Sequence, residues 1–536
     1  MSKNNFLKGA AILAIAGILV KVIGAFYRIP LGNIMPEEGM GYYQVGYQLY
    51  VLLVAVSTSG FPTATSKIIA EKRAFGDYGG AHKIFKVSFI GFLVAGVFSS
   101  LLVLIGAKSI LGLMDNPNSY YALIALVPAL LFVPIMSAFR GYFQGMQNMV
   151  PTAVSQLIEQ IFRAGTALTL AYLLLNRGAA VAAGGASFGA SAGAIGGTIV
   201  IILIYFKDRK KIMNEIDSSK GFEEESISKI IKSILYIAIP ITIGASIVPI
   251  INAVDAVLVT RILQQLNYSE VEAAAKFAQI SAYAQTLINF PQVLSVAMAM
   301  SLVPSISDAF SRRDKESIRA TTNSGIRTTL LIGLPSAAGL FILSKPIIGL
   351  IYYSKSPAVI AETGEILAIL AISLIFLTLV QSLTAILQGI GKPMIPVKNL
   401  AIGAIVKVIL TYVLVSIPSI QIKGAAISTV ITYLIAAGLN LYGVKKYTNV
   451  EIKFVDTILK PVIAAVIMGV VVKLTHFYGV GIIGTKLATV VSIGIGAIVY
   501  GISLLAIGAV TTEDLEAFPK GDKLAKLLKR IGLLRK

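Results

Sequence analysis

Apolar residues in this chain fall into fourteen runs of about 20 residues or more, separated by short polar segments. A helix needs that length to cross roughly 30 Å of hydrocarbon, so each run predicts a membrane-spanning helix. The runs cover 9–31, 41–66, 84–106, 118–139, 152–175, 180–206 and 233–260 in the first half. They continue at 273–305, 320–343, 359–388, 396–416, 424–444, 455–475 and 482–509. The pattern also repeats. Residues 137–151 (SAFRGYFQGMQNMVP) are echoed by 382–396 (SLTAILQGIGKPMIP), with Gln144 and Gln388 244 positions apart. A second echo pairs Pro62 in GFPTATS with Pro304 in LVPSIS at an offset of 242. Duplicated membrane halves that move against each other around a central site are the architecture of carriers.

The predicted organisation is therefore an all-α polytopic membrane protein. A six-helix lobe over 1–215 is followed by its duplicate over 226–450, two further helices over 451–512 and a basic amphipathic tail over 513–536. Composition agrees: 56% of residues are hydrophobic and 13% charged, and mean hydropathy is +0.82. A soluble surface cannot be built from that mixture. The first apolar run is long, has no clear small-residue cleavage site and is needed to complete the first repeat, so it reads as retained.

The net charge of +20 is explained by topology. With the N-terminus inside, 32 of the 46 Lys and Arg, Arg140 among them, fall in cytoplasmic segments, and the external loop 32–40 carries Glu37 and Glu38 without a cation. Positive loops stay inside, so both termini are expected in the cytoplasm. Cations confined to short interhelical loops fit anionic lipid headgroups and leave no domain for nucleic acid. In the tail, Leu524, Leu527, Leu528, Ile531 and Leu534 recur at helical spacing among lysines, which predicts a helix lying on the inner leaflet. The glycine-rich stretch 178–197 predicts close helix packing. With no Trp, Tyr42, Tyr43, Tyr47 and Tyr50 are expected to form part of an interfacial belt.

Enzyme chemistry finds little material. There are no cysteines and two histidines, His82 in a basic loop and His476 near the outer end of a span, so neither a histidine-based metal site nor a triad assembles. The GVGIIG at 479–484 joins two spans instead of a strand and a helix, the wrong setting for a dinucleotide. An enzymatic activity and a bound cofactor are not expected.

What remains is charge inside the membrane, where Arg, Lys or Asp at a helix centre costs roughly 2.5 to 3.5 kcal/mol. Lys21, Arg163 and Lys407 fall near span centres, with Arg28 two turns beyond Lys21. Spans five and eleven are duplicates, so both halves place a cation near the midplane. The acids are Glu159, four residues before Arg163, and Asp255 in span seven. Glu159 and Arg163 either neutralise each other or belong to the cavity. Asp255 either balances a cavity cation or holds a coupling Na⁺ or H⁺ together with Asn252. Arg261 is expected to reach the outer headgroups. Lys21, Arg28, Arg163 and Lys407 are the candidate ligands of an anionic cargo.

The segments KVIGAFYRIP at 21–30, GFPTATSK at 60–67, FRGYFQGMQNMVP at 139–151 and NFPQVLSVAMAMSLVPSIS at 289–307 carry a resemblance across nearly the whole chain. It resembles the polysaccharide-export branch of the multidrug/oligosaccharidyl-lipid/polysaccharide superfamily, nearest to stage V sporulation protein B and MurJ (MviN)-type lipid II flippases of Gram-positive form. The resemblance implies a two-lobed bundle in the bacterial cell membrane. Such a bundle moves an undecaprenyl-diphosphate-linked cell-wall sugar outward by alternating access, with wall-synthesis enzymes as further partners. It implies that Lys21 stands in for the family's first-helix cation, with Arg28 within a residue of the second. The chain departs from the Gram-negative form in span eight, where Gln285 and Thr286 replace an Asp-Arg pair, which leaves Lys407 as the cation of the second half. Export of an anion would draw on the membrane potential. The alternative is a multidrug/cation antiporter of the same superfamily, which calls for an acidic cavity; a membrane scaffold for wall-synthesis enzymes gives no reason for midplane charge.

Overall fold

A computed structural model describes residues 3–219, 222, 225–451 and 453–509. The predicted tail over 513–536 lies outside the described residues. Among the described residues the fold is helical throughout, and thirteen helical stretches are long and apolar enough to span a membrane. The last of these contains two spans, restoring the fourteen expected.

The chain packs as two compact units that divide between Ala278 and Gln279. In the first unit the helices are α1 (Lys3–Ile34), α2 (Glu37–Thr58), α3 (Phe61–Ala74), α4 (Tyr78–Leu113) and the short α5 (Tyr120–Ile124). They continue as α6 (Val127–Gly145), α7 (Val150–Leu174), α8 (Ala179–Asp217), α9 (Ile227–Gln265) and α10 (Glu270–Ala278). The duplication boundary falls before α9, yet α9 packs in this first unit against α2 and α3. Glycine permits the approach. Gly60 carries no side chain that would meet the Ala238 carbonyl, and its N–H donates to Thr242 Oγ1 at 3.1 Å.

The tightest pairing in this unit joins α7 to α8. Gly185, Gly189, Gly193 and Gly197 recur every four residues on α8, and a Cβ at each would stand 2.5 to 3.0 Å from atoms of α7 or α6. The glycine-rich stretch is thus a packing stripe that brings two backbones together. At the basic end, the Arg73 to Glu215 pair at 2.8 Å ties α3 to α8. Lys72 bridges Asp77 at 3.1 Å and Glu225 at 3.0 Å.

The second unit opens with a π-helical turn, Gln279–Ala284, and continues with α11 (Gln285–Ser311), α12 (Lys315–Ile342) and α13 (Ser344–Ile351). Then come α14 (Pro357–Gly389), α15 (Met394–Val415), α16 (Ile422–Thr448) and α17 (Lys460–Ala506). Gly484, at φ 76° and ψ 160°, breaks α17 into two limbs. The limbs fold back on each other, with Gly496 against Val472 and Thr489 Oγ1 3.3 Å from His476 Nε2.

The first sequence echo survives in atomic detail. The N–H of Asn148 donates to the Phe143 carbonyl and that of Lys392 to the Leu387 carbonyl, 244 positions on. Gln147 and Gly391 both take positive φ, 59° and 76°, in those turns. The second echo needs correction. A Cβ on Gly145 would meet Ile69 and the Ser66 carbonyl, and one on Gly389 would meet Ile306 and the Val303 carbonyl. The packing equivalence is therefore Ile69 with Ile306, an offset of 237. Pro62 and Pro304 share a sequence signal without sharing a position in the fold.

Candidate functional site

Four helices of the first unit converge on a cluster of arginines and tyrosines. On α2, Tyr43, Tyr47 and Tyr50 follow at i, i+4 and i+7, which places them on one face. Tyr43 and Tyr47 stack at 5.7 Å between ring centroids, and Tyr47 and Tyr50 follow at 5.9 Å. From α1, the Tyr27 hydroxyl reaches that of Tyr43 at 3.2 Å, and the Arg28 guanidinium lies 5.3 Å from the centre of the Tyr47 ring. Such a cation over an aromatic face is attracted by the ring quadrupole. These tyrosines are therefore site residues and not an interfacial belt: Tyr43 and Tyr50 are buried.

From α7 come Glu159 and Arg163, joined Nη2 to Oε1 at 2.9 Å. The other carboxylate oxygen accepts from Arg140 Nη2 of α6 at 3.0 Å, while Arg140 Nε donates to Ser155 Oγ at 2.9 Å. Arg163 also hydrogen-bonds the Tyr50 hydroxyl. The pair read from sequence is thus a triad, Arg140–Glu159–Arg163, with each side chain about one-seventh exposed. Arg140, counted from the sequence among the cytoplasmic cations, lies within α6 and pairs with Glu159. Its partner lies 19 positions away across a helix turn, beyond any local sequence pattern.

With Arg28, the cluster holds three cations and one anion. The Nε of Arg28 and the Nε of Arg163 are both buried and, among the described residues, have no hydrogen-bond partner. An unsatisfied buried donor costs about 1 to 3 kcal/mol, more for a charged group, unless an acceptor arrives. An oxyanion is the acceptor that guanidinium geometry fits, since the planar fork presents parallel N–H groups.

Lys21, on α1, stays exposed and, among the described residues, makes no hydrogen bond or ion pair. Arg261 pairs with Asp115 at 3.5 Å, both half-exposed. Asp255 and Asn252 are half-buried on α9. His82, expected in a loop, is buried within α4 instead, its Nδ1 3.2 Å from the Tyr142 hydroxyl among Phe85, Phe139 and Tyr205.

In the second unit Lys407 is 5% exposed on α15, between Gly403 and Thr411, both of which lie against α16. The offset of 244 makes it the counterpart of Arg163. The same offset sets Gly403 opposite Glu159, Thr384 opposite Arg140 and Asn399 opposite Ser155. Where Arg140 bonds Ser155 directly, Thr384 and Asn399 are bridged by Asn440, at 3.3 and 2.8 Å. The second copy keeps the midplane cation and lacks the acid.

Residues 6–310, more than half of the chain, match the family described as polysaccharide biosynthesis protein. The chain belongs to that family. A second family, MatE, matches residues 269–413 of this member. The chain is 28% identical over 518 residues to the lipid II flippase MurJ of Bacillus subtilis (strain 168), covering 93% of this chain and 94% of that one. It is 27% identical over 459 residues to stage V sporulation protein B of the same organism, covering 84% and 86%. Among solved structures the fold resembles the lipid II flippase MurJ in an inward closed conformation, with TM-score 0.68, 18% identity and 92% and 98% coverage. It equally resembles an inward-facing multidrug resistance MATE family transporter, with TM-score 0.68, 17% identity and 81% and 98% coverage. This family member is a multi-pass membrane protein with a transporter fold.

Proposed function

We propose that this chain is a flippase that carries an undecaprenyl-diphosphate-linked cell-wall precursor, lipid II or a related lipid-linked oligosaccharide, across the bacterial cytoplasmic membrane by alternating access. The observation that carries this reading is the pair of buried, unpartnered Nε donors on Arg28 and Arg163 inside a cluster with cationic excess. A diphosphate supplies the missing acceptors and the missing negative charge. The isoprenoid tail, being apolar, stays in the bilayer while only the polar head enters. Lys21 would add a further cation at the exposed edge of the site, and Lys407 would serve the second copy.

Relatives named for lipid II flipping and for sporulation, matched along most of the chain, support the cargo class. The multidrug alternative has the fold in its favour and the charge against it, because a cationic drug would meet three arginines and one carboxylate. No step of this function makes or breaks a bond, so the role is transport and not catalysis. Two negative charges leaving an interior-negative cell gain about 4.6 kcal/mol per 100 mV, from roughly 2.3 per charge. We propose the membrane potential as a driving force, with Asp255 and Asn252 as the place for any coupled Na⁺ or H⁺. The test is complementation of a strain depleted of its lipid II flippase. Growth with the wild-type chain and none with Arg28→Ala and Arg163→Ala supports the reading. Growth with both variants at native expression would remove it.

A further inference from the structure

The cluster already contains an anion with the ligands a phosphate would take. Glu159 presents one carboxylate oxygen to Arg163 at 2.9 Å and the other to Arg140 at 3.0 Å, two guanidiniums from two helices. Each arginine has a second polar partner besides Glu159. Arg140 is also held by Ser155 and Arg163 by Tyr50, both neutral acceptors that leave the charge of the guanidinium intact. The triad is partly exposed and so open to exchange with a ligand. By helix rise, the backbone of Arg140 lies about 7.5 Å from the end of α6 and that of Arg163 about 20 Å into α7, so the two side chains reach the one carboxylate from different depths. The duplicated unit, with Gly403 opposite Glu159 and Thr384 opposite Arg140, keeps only the midplane cation; the acid and the second arginine occur together or not at all.

We propose that Glu159 is a resident surrogate for the cargo's phosphate. It occupies Arg140 and Arg163 while the site is empty, yields Arg163 to the incoming diphosphate, and reclaims it as the cargo leaves. This rests on the anionic-cargo reading above. A bound oxyanion facing three arginines with no competitor would leave slowly; a tethered carboxylate at the same donors raises the off-rate and resets the site. Binding and release are thereby balanced within one triad, without a second ligand.

The experiment uses the full chain in nanodiscs for binding and in proteoliposomes for turnover, with undecaprenyl diphosphate as probe and undecaprenol as the uncharged control. Glu159→Gln keeps the shape and removes the competing charge. Glu159→Asp keeps the charge but is one methylene too short to hold both guanidiniums. Both variants are expected to bind undecaprenyl diphosphate about tenfold more tightly than the wild type and to turn over several-fold more slowly, with the first turnover unimpaired. A Glu159→Asp chain that binds like the wild type would reduce the acid to a through-space charge. Binding by Glu159→Gln no tighter than wild type would make Glu159 a structural counter-ion; either result overturns the proposal. Should Glu159→Gln fail to fold, the Asp variant decides alone. If the wild type does not discriminate undecaprenyl diphosphate from undecaprenol, the anionic-cargo reading itself fails, and the surrogate with it.

Discussion

A methyl group on Gly193 would stand 2.5 Å from the carbonyl oxygen of Glu159, so α8 presses on α7 at the residue that bears the carboxylate of the arginine triad. The neighbouring glycines repeat the contact one turn at a time. Gly189 meets the Arg163 carbonyl and Gly197 the Ser155 carbonyl. Three functional or supporting positions on α7, Ser155, Glu159 and Arg163, are therefore set by backbone contact with glycines that have no side chains to adjust.

Gly193→Ala is expected to push α7 outward and cost about 1 to 3 kcal/mol, as overpacking does, with loss of transport. Gly165→Ala on the same α7 meets nothing within 4 Å and serves as the control. Thermal unfolding in detergent and complementation read the two together. Equal behaviour of both variants would show that the stripe does not set the site.

Arg140 and Arg163 share one carboxylate, so their substitutions should not add. Each single change to Gln leaves Glu159 with one guanidinium; the double change leaves it with none. The double-mutant cycle is expected to show a coupling of roughly 0.5 to 3 kcal/mol, the double being worse than the sum. Additive shifts in thermal stability would mean that the triad is not energetically joined.

The expected orientation is tested by labelling. The chain has no native cysteine, so single cysteines at Glu37 and at Lys211 report each side separately. A membrane-impermeant maleimide should reach Glu37→Cys on intact cells and Lys211→Cys only after lysis. The opposite result would invert the topology read from the basic loops.

Gln147 is held at φ 59° where its counterpart is Gly391 at 76°. A non-glycine residue in the left-handed region carries roughly 1 to 2 kcal/mol of strain, so Gln147→Gly should raise stability and Gly391→Ala should lower it. Unfolding temperature is the measure. A fall with Gln147→Gly would mean that the Gln side chain contributes more than its backbone loses.

The turns around Gln144 and Gln388 were legible because a helix end is written locally, in a few residues whose hydrogen bonds close within six positions. The midplane cations were legible because charge in an apolar run has no cheap explanation. Arg140 was not, since it sits one and a half turns from a helix end and looks like a loop residue until α7 brings Glu159 to it. Tyr43, Tyr47 and Tyr50 showed helical spacing in the sequence, yet the same spacing suits a headgroup belt; the burial of Tyr43 and Tyr50 and Arg28 lying over Tyr47 separate the two. His82 was misplaced because α4 starts earlier, at Tyr78, capped by Asp77 accepting from the Gly80 N–H at 2.7 Å. The Pro62 and Pro304 echo misled because proline marks a helix's local chemistry and not its neighbours.

Gly484 gives the last two spans a property unlike the rest. The reversal between the limbs of α17 is made at one residue, and the segment 477–488 around it carries a single charged side chain, Lys486. During synthesis, a pair of spans ordinarily has to drag a polar loop through the hydrocarbon. Here the two limbs can enter as a closed hairpin with one charged side chain, Lys486, near its tip. Gly484 is thus expected to act during insertion more than in transport. Gly484→Val should reduce how many molecules reach the membrane, as counted by immunoblot of the membrane fraction, while each molecule that arrives flips cargo at the ordinary rate.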